Sequence, residues 1–94
     1  MNLIYSPEAE LDIDDIWFYI AVDNQAKATE LINIIKQTCI FLSENPEVGT
    51  KRDYLNKGLR HFSVKNRAIY YRIKTDNIEI VRILHGSRDI KRHF

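Results

Sequence analysis

Residues 77–94 read NIEIVRILHGSRDIKRHF, and the first half of that stretch decides how the rest of the chain must fold. Ile78, Ile80 and Leu84 stand on one parity, Val81 and Ile83 on the other. Both faces of an extended segment are therefore apolar, the mark of a strand buried on two sides at the centre of a sheet. Arg82 interrupts the run, and beyond it His85, Arg88, Asp89, Lys91, Arg92 and His93 crowd together before Phe94. Such a tail reads either as a contact surface or as an ordinary solvated terminus.

Working outward, the segments before it carry the same period of two. Leu59 to Lys65 (LRHFSVK) alternates Arg60, Phe62 and Val64 against Leu59, His61 and Ser63, and Lys65-Asn66-Arg67 can turn the chain. Ala68 to Lys74 (AIYYRIK) then sets Ile69, Tyr71 and Ile73 against Tyr70, Arg72 and Lys74. Thr75-Asp76-Asn77 makes a second tight turn, where Asp and Asn are favoured for local hydrogen bonds and tolerance of left-handed backbone. Three successive antiparallel strands follow from this spacing.

The first half has a helical period instead. After a short apolar run, Asn2 to Tyr5, Ser6 can cap a helix that Pro7 opens, with Glu8 and Glu10 near its positive end. Ala9, Ile13, Ile16, Trp17 and Ile20 recur at steps of three and four, predicting a helix from about Pro7 to about Val22. Asp23-Asn24 breaks it. Ala28, Leu31, Ile32, Ile35, Cys39 and Leu42 then repeat the stripe, with Ile34 and Phe41 adding a second one beside it. So wide an apolar arc predicts cover from both the first helix and the sheet, and the short link predicts an antiparallel hairpin. Asn45-Pro46-Glu47-Val48-Gly49 ends the second helix. Thr50 to Lys57 reads as a polar loop with Tyr54 and Leu55 tucked against the core. The expected architecture is α+β, a single small β-α-α-β-β-β domain with a helical hairpin on a twisted, mainly antiparallel four-stranded sheet.

Ninety-four residues suffice for one core. No apolar run is long enough to span a membrane and no basic-then-apolar leader opens the chain, so a cytoplasmic protein with no membrane contact is expected. Cys39, the only cysteine, lies at helical spacing among apolar residues and reads as core. A net charge of +1 conceals a strong asymmetry: residues 1–49 hold two basic against nine acidic side chains, a net of −7, and residues 50–94 hold twelve against four, a net of +8. The basic half suits an anionic partner, nucleic acid or an acidic protein segment, unless the halves neutralise each other across the fold.

Common enzyme signatures are missing: no glycine-rich phosphate loop, GxSxG, HExxH or cysteine-histidine zinc spacing. His61, His85 and His93 never fall four apart on a helix, so no metal or other cofactor is expected. Glu10, Asp12, Asp14 and Asp15 read as a solvated helix face or as an acidic patch that repels nucleic acid. Arg60, Arg67, Arg72, Arg82 and Arg88 carry more information. If the helices cover one sheet face, these arginines can converge on its other face and edges, where guanidinium groups suit phosphates and carboxylates and where Tyr70 and His85 add stacking surface. Alternatively they only solubilise an exposed face.

Tyr5-Ser6-Pro7-Glu8-Ala9, then Asp12-Ile13-Asp14-Asp15-Ile16 and Tyr19-Ile20, the run Leu42 to Gly49, Gly58-Leu59-Arg60, Ile69-Tyr70-Tyr71, and Ile80 to Gly86 with Asp89 three residues on form an ordered set. That set resembles the RelE/ParE superfamily of type II bacterial toxins, and more closely its ParE branch. The resemblance implies a growth-arresting toxin, associated with plasmid stabilisation and held inactive by a cognate antitoxin whose flexible acidic segment wraps helices and sheet. ParE-like toxins are associated with poisoning DNA gyrase and carry no hydrolytic activity, and no sequence-specific DNA binding is expected. RelE-like relatives cut messenger RNA in the ribosome with lysines, arginines and often a C-terminal tyrosine. Arg67 and Arg88 approximately match arginines of that branch and Arg60 falls near one of its lysines. Phe94, however, stands about where the tyrosine would be, and Gly58 near another catalytic lysine. Phenylalanine cannot exchange a proton. The expectation is therefore a non-enzymatic gyrase inhibitor, with Arg60, Arg67, Arg72, Arg82, His85, Arg88, Asp89, Lys91, Arg92 and Phe94 as candidates for target or antitoxin contact. The alternative is a ribosome-dependent endoribonuclease working through Arg60, Arg67 and Arg88.

Overall fold

The computed structural model describes residues 1–86 and 90–94, the side chains of 90 and 91 excepted. Strand β1 (Asn2–Tyr5) is followed by helices α1 (Pro7–Ala21) and α2 (Gln25–Glu44), strands β2 (Thr50–Lys51), β3 (Leu59–Val64), β4 (Arg67–Ile73) and β5 (Asn77–His85), and a 3-10 turn, Ile90–His93. The strands form one sheet in the order β1-β5-β4-β3-β2. β1 runs parallel to β5, with Leu3 opposite Ile78 and Tyr5 opposite Ile80; the other pairs are antiparallel. β5 is thus internal, as its two-sided apolar pattern predicts. The sheet has five strands rather than four because Thr50 and Lys51 pair with His61 and Arg60. That bridge is imposed by its partner, and its own two polar residues carry no strand pattern.

Local chemistry sets the helix starts. The Ser6 hydroxyl accepts from the Ala9 amide at 3.0 Å and donates to the Val81 carbonyl at 2.7 Å, so one buried side chain caps α1 and fastens it to β5. Asn24 caps α2 by accepting from the Lys27 amide at 3.0 Å. Between β3 and β4, Lys65 and Asn66 both take positive φ (47° and 63°), the geometry of a two-residue hairpin turn that matches strand twist. Arg67 already belongs to β4, facing Val64.

The main core lies between the hairpin and one face of the sheet. Ala9, Ile13 and Ile16 from α1 and Ile32, Ile35, Cys39 and Leu42 from α2 pack on Ile69, Tyr71, Ile78, Ile80 and Ile83. On β5 this face takes even-numbered residues up to Ile80 and then odd-numbered Ile83. The switch is a β-bulge: Tyr71 pairs with Ile80 and Tyr70 with Arg82, leaving Val81 as the extra residue. Val81 and Leu84 therefore fall on the helix-free face, in a second cluster with Leu59, Ala68, Tyr70, Leu55 and Phe94. Tyr54 departs from expectation: it is 71% exposed, and Leu55 alone packs on that cluster.

The turn after α2 is clamped by Tyr71, whose hydroxyl donates to the Pro46 carbonyl and accepts from the Gly49 amide, each at 2.8 Å. A Cβ on Gly49 would stand 2.2 Å from that hydroxyl oxygen, so only glycine fits beneath the ring.

Candidate functional site

The sequence places the candidate cations on β3, β4 and β5; the sheet divides them between its two faces and its ends. Arg60 shares its parity with Phe62 and Val64, which pack on the helix-side core. Its Nη1 donates to the carbonyls of Gly49 (2.9 Å) and Glu47 (3.2 Å), closing the exit of α2. Arg72, on the parity of Tyr70, is held by the β2–β3 loop, with Nε to the Lys57 carbonyl at 3.3 Å and Nη2 to the Asn56 side-chain oxygen at 2.5 Å.

Arg82 sits on β5 beyond the end of β1, where α1 approaches. Its Nε and Nη2 donate to the two carboxylate oxygens of Asp12 at 2.8 and 2.9 Å, and the Ile83 amide donates to the same carboxylate at 2.9 Å. The Arg82 guanidinium is held further toward its charged form, first by the hydrogen bonds to Asp12. Its Nη1 also lies 3.2 Å from His93 Nδ1, tying the C-terminal turn to the same node. Asp12, expected in the solvated acidic face of α1, is instead a structural acceptor between α1 and β5.

Arg67 remains distinct. It is half-buried at the start of β4, opposite Val64 and His85, and among the described residues its side chain makes no hydrogen bond or ion pair. His85 and Arg92 are exposed. Arg88, Asp89 and the Lys91 side chain lie outside the described residues. The described arginines do not converge on one shared surface of face and edges: Arg60 bonds the turn after α2, Arg82 bonds Asp12 of α1, and Arg72 bonds the β2–β3 loop.

The helix-free face holds a row of mutually tilted rings instead. Phe94 lies on Tyr70 at 5.0 Å between centroids, and Tyr70 on His61 at 5.5 Å. Tyr70, expected to offer stacking surface, is only 2% exposed because its neighbours already cover it. His61 Nε2 is 3.2 Å from Ser63 Oγ, while Nδ1 is buried without a partner among the described residues. Burial, and then Arg52, hold the His61 imidazole below its ordinary range. Burial pushes Tyr70 up. It also pushes the Cys39 thiol up to about 11, so that side chain is an inert part of the core.

A surface feature of α2 completes the picture. Its second stripe, expected to be buried by the sheet, is only partly covered: Phe41 is 41% exposed and meets Phe62 of β3 at 5.9 Å. Ile34, Phe41 and Phe62 floor a groove of about 740 Å³ whose rim carries Thr29, Glu30, Asn33, Gln37 and Thr38. The only early signal was the stripe itself; that it stays open depends on how far the sheet reaches beneath α2. Among the described residues no group of three or more potential metal ligands converges, and no helix is long and apolar enough to cross a membrane.

These features can be set beside known proteins. The chain is similar to the solved structure "Chromosomal ParDE TA system from P. aeruginosa", with a TM-score of 0.77 and 23% identity over 90% of this chain and 95% of that one. Its fold is the one found here. Toxin ParE1 of Mycobacterium tuberculosis is 25% identical over 95 residues, 96% of this chain and 94% of the relative. Toxin ParE3 of Caulobacter vibrioides is 34% identical over 80 residues, 84% of this chain and 80% of the relative. The family described as the ParE toxin of the type II toxin-antitoxin system, parDE, matches residues 3–90, and on these grounds the chain belongs to the ParE family of type II toxins.

Proposed function

We propose that this ParE-family chain arrests growth in the cytoplasm by binding DNA gyrase, without chemistry of its own, and that a cognate antitoxin neutralises it. The observation that carries the non-enzymatic reading is the engagement of the guanidinium groups. Arg60, Arg72 and Arg82 are each bonded to the protein's own carbonyls, amide or carboxylate. A phosphoryl-transfer site needs such donors aimed at the reacting phosphate, and a proton acceptor within reach of the attacking hydroxyl. Phe94 lacks an ionisable side chain, and its ring rests on Tyr70.

The antitoxin contact is supported by the groove along α2. An apolar floor with an uncharged polar rim, interrupted only by Glu30, suits an amphipathic segment that folds as it docks. The basic turn beside it, with Lys65 and Arg67, suits acidic residues of that segment.

Supercoiling by purified gyrase, with and without the toxin, tests the target directly. The expected result is lost supercoiling with accumulation of cleaved DNA. Unaltered supercoiling and no trapped cleavage would reject the reading, and toxin-dependent cuts in messenger RNA on translating ribosomes would replace it with a ribonuclease acting through Arg67 and Arg88.

A further inference from the structure

Helix α1 has an outer face that neither the core nor the proposed antitoxin groove uses. Leu11, Phe18 and Val22 are spaced seven and four apart, so they line one stripe along about 16 Å of helix. They are 62%, 66% and 85% exposed, and Tyr19 beside them is 80% exposed. A stripe of three exposed large apolar side chains with a fourth beside it marks a candidate interaction surface, unlike apolar residues scattered singly. Phe18 is further held in place by an edge-on contact with Trp17 at 5.3 Å.

The charges around the stripe define what can cover it. Glu8, Glu10, Asp14 and Asp15 are all exposed, and α1 contains no lysine or arginine. Asp12, the remaining acid of the helix, is engaged by Arg82 and Ile83. A second copy laid against this face would bring carboxylates to carboxylates, and an anionic membrane surface would be repelled in the same way. An acidic antitoxin segment is excluded by the same charges. We propose that the outer face of α1 is a second docking surface, for a basic amphipathic helix of another protein, with its apolar stripe on Leu11, Phe18 and Val22 and its lysines or arginines facing Asp14, Asp15 and Glu8. A third helix placed there would pack on the hairpin as neighbouring helices of a bundle do.

Trp17, the only tryptophan, provides the reporter. The full chain is titrated with a designed helical peptide carrying a leucine stripe flanked by lysines, and with a second peptide in which glutamates replace the lysines. The basic peptide is expected to shift Trp17 emission saturably, at least ~10-fold more tightly than the acidic one, with affinity falling as salt rises. Asp14→Lys with Asp15→Lys, and separately Phe18→Ser with Val22→Ser, are each expected to weaken it by ~10-fold or more. All four positions are solvent-facing, so unchanged circular dichroism and melting temperature verify the fold. Equal binding of both peptides, no binding, or binding untouched by either pair of substitutions would overturn the proposal. So would concentration-dependent dimerisation abolished by Phe18→Ser and Val22→Ser, which would assign the face to a second copy.

Discussion

Asp12→Ala should be among the most damaging single substitutions outside the hydrophobic core. The side chain is 11% exposed and its partner Arg82 22% exposed, and three donors converge on the carboxylate at 2.8 to 2.9 Å. Removing it leaves a largely buried guanidinium without its counter-charge and the Ile83 amide without an acceptor. Losing one member of a fully buried ion pair costs about 3–5 kcal/mol. Residual access of water to Arg82 reduces that to about 2–3 kcal/mol, and the orphaned amide adds about 1 kcal/mol. The sum of about 3–4 kcal/mol corresponds to a fall in Tm of roughly 15–25 °C for a chain of this size. Thermal unfolding followed by circular dichroism measures it. A double-mutant cycle with Arg82→Met should show the double variant less destabilised than the sum of the singles, by about 2 kcal/mol. A fall of less than about 4 °C for Asp12→Ala, with additive singles, would place the pair among solvent-screened surface contacts and remove it as the link between α1 and β5.

Other outcomes follow from the same geometry. Gly49→Ala should displace the Tyr71 ring and destabilise the fold by about 2–4 kcal/mol, and Tyr71→Phe, which only leaves the Gly49 amide and Pro46 carbonyl unpaired, by about 1–3 kcal/mol; denaturant titration of both variants checks the order. The His61 imidazole is held below its ordinary value of 6.5 by burial and Arg52, so the unfolded chain binds its proton more readily. Stability should therefore fall as pH drops below about 6.5 toward the lower folded value, and His61→Asn should flatten that slope in urea titrations between pH 5 and 8. Removing the chain from Arg88 onward should abolish toxicity on expression while leaving antitoxin binding partly intact; equal toxicity of truncated and full-length chains would show that the tail is dispensable.

Much of the fold was legible because it rests on local patterns. The expected first helix, about Pro7 to Val22, forms as Pro7–Ala21, since Ser6 and Pro7 dictate where it starts and the apolar period dictates its inner face. The strand expected over 59–65 forms as Leu59–Val64 for the same kind of reason. The bulge was hidden: an apolar run on both parities is equally compatible with a regular strand, and only pairing with β4 shows Val81 to be the extra residue. The arginines were harder still. A guanidinium reaches groups far away in sequence, so the partners of Arg60 at the exit of α2 and of Arg82 on α1 depend on how the hairpin lies on the sheet. Periodicity does not encode that placement. The exposed stripe of Leu11, Phe18 and Val22 is not legible from the pattern, because helical periodicity identifies the side that is buried.

The position of β5 bears on when the protein can become active. It is flanked by β1, which precedes it along the chain by both helices and three strands, so β1 leaves the ribosome well before its partner. Until residues 77–85 have cleared the exit tunnel, β1 has no neighbour to pair with. The inner faces of both helices also lack the isoleucine wall that closes over them. A stalled nascent chain ending before that point exposes an uncovered pair of helices, suited to a chaperone or a protease. Synthesis of that one strand thus separates incompletely packed fragments from the folded domain.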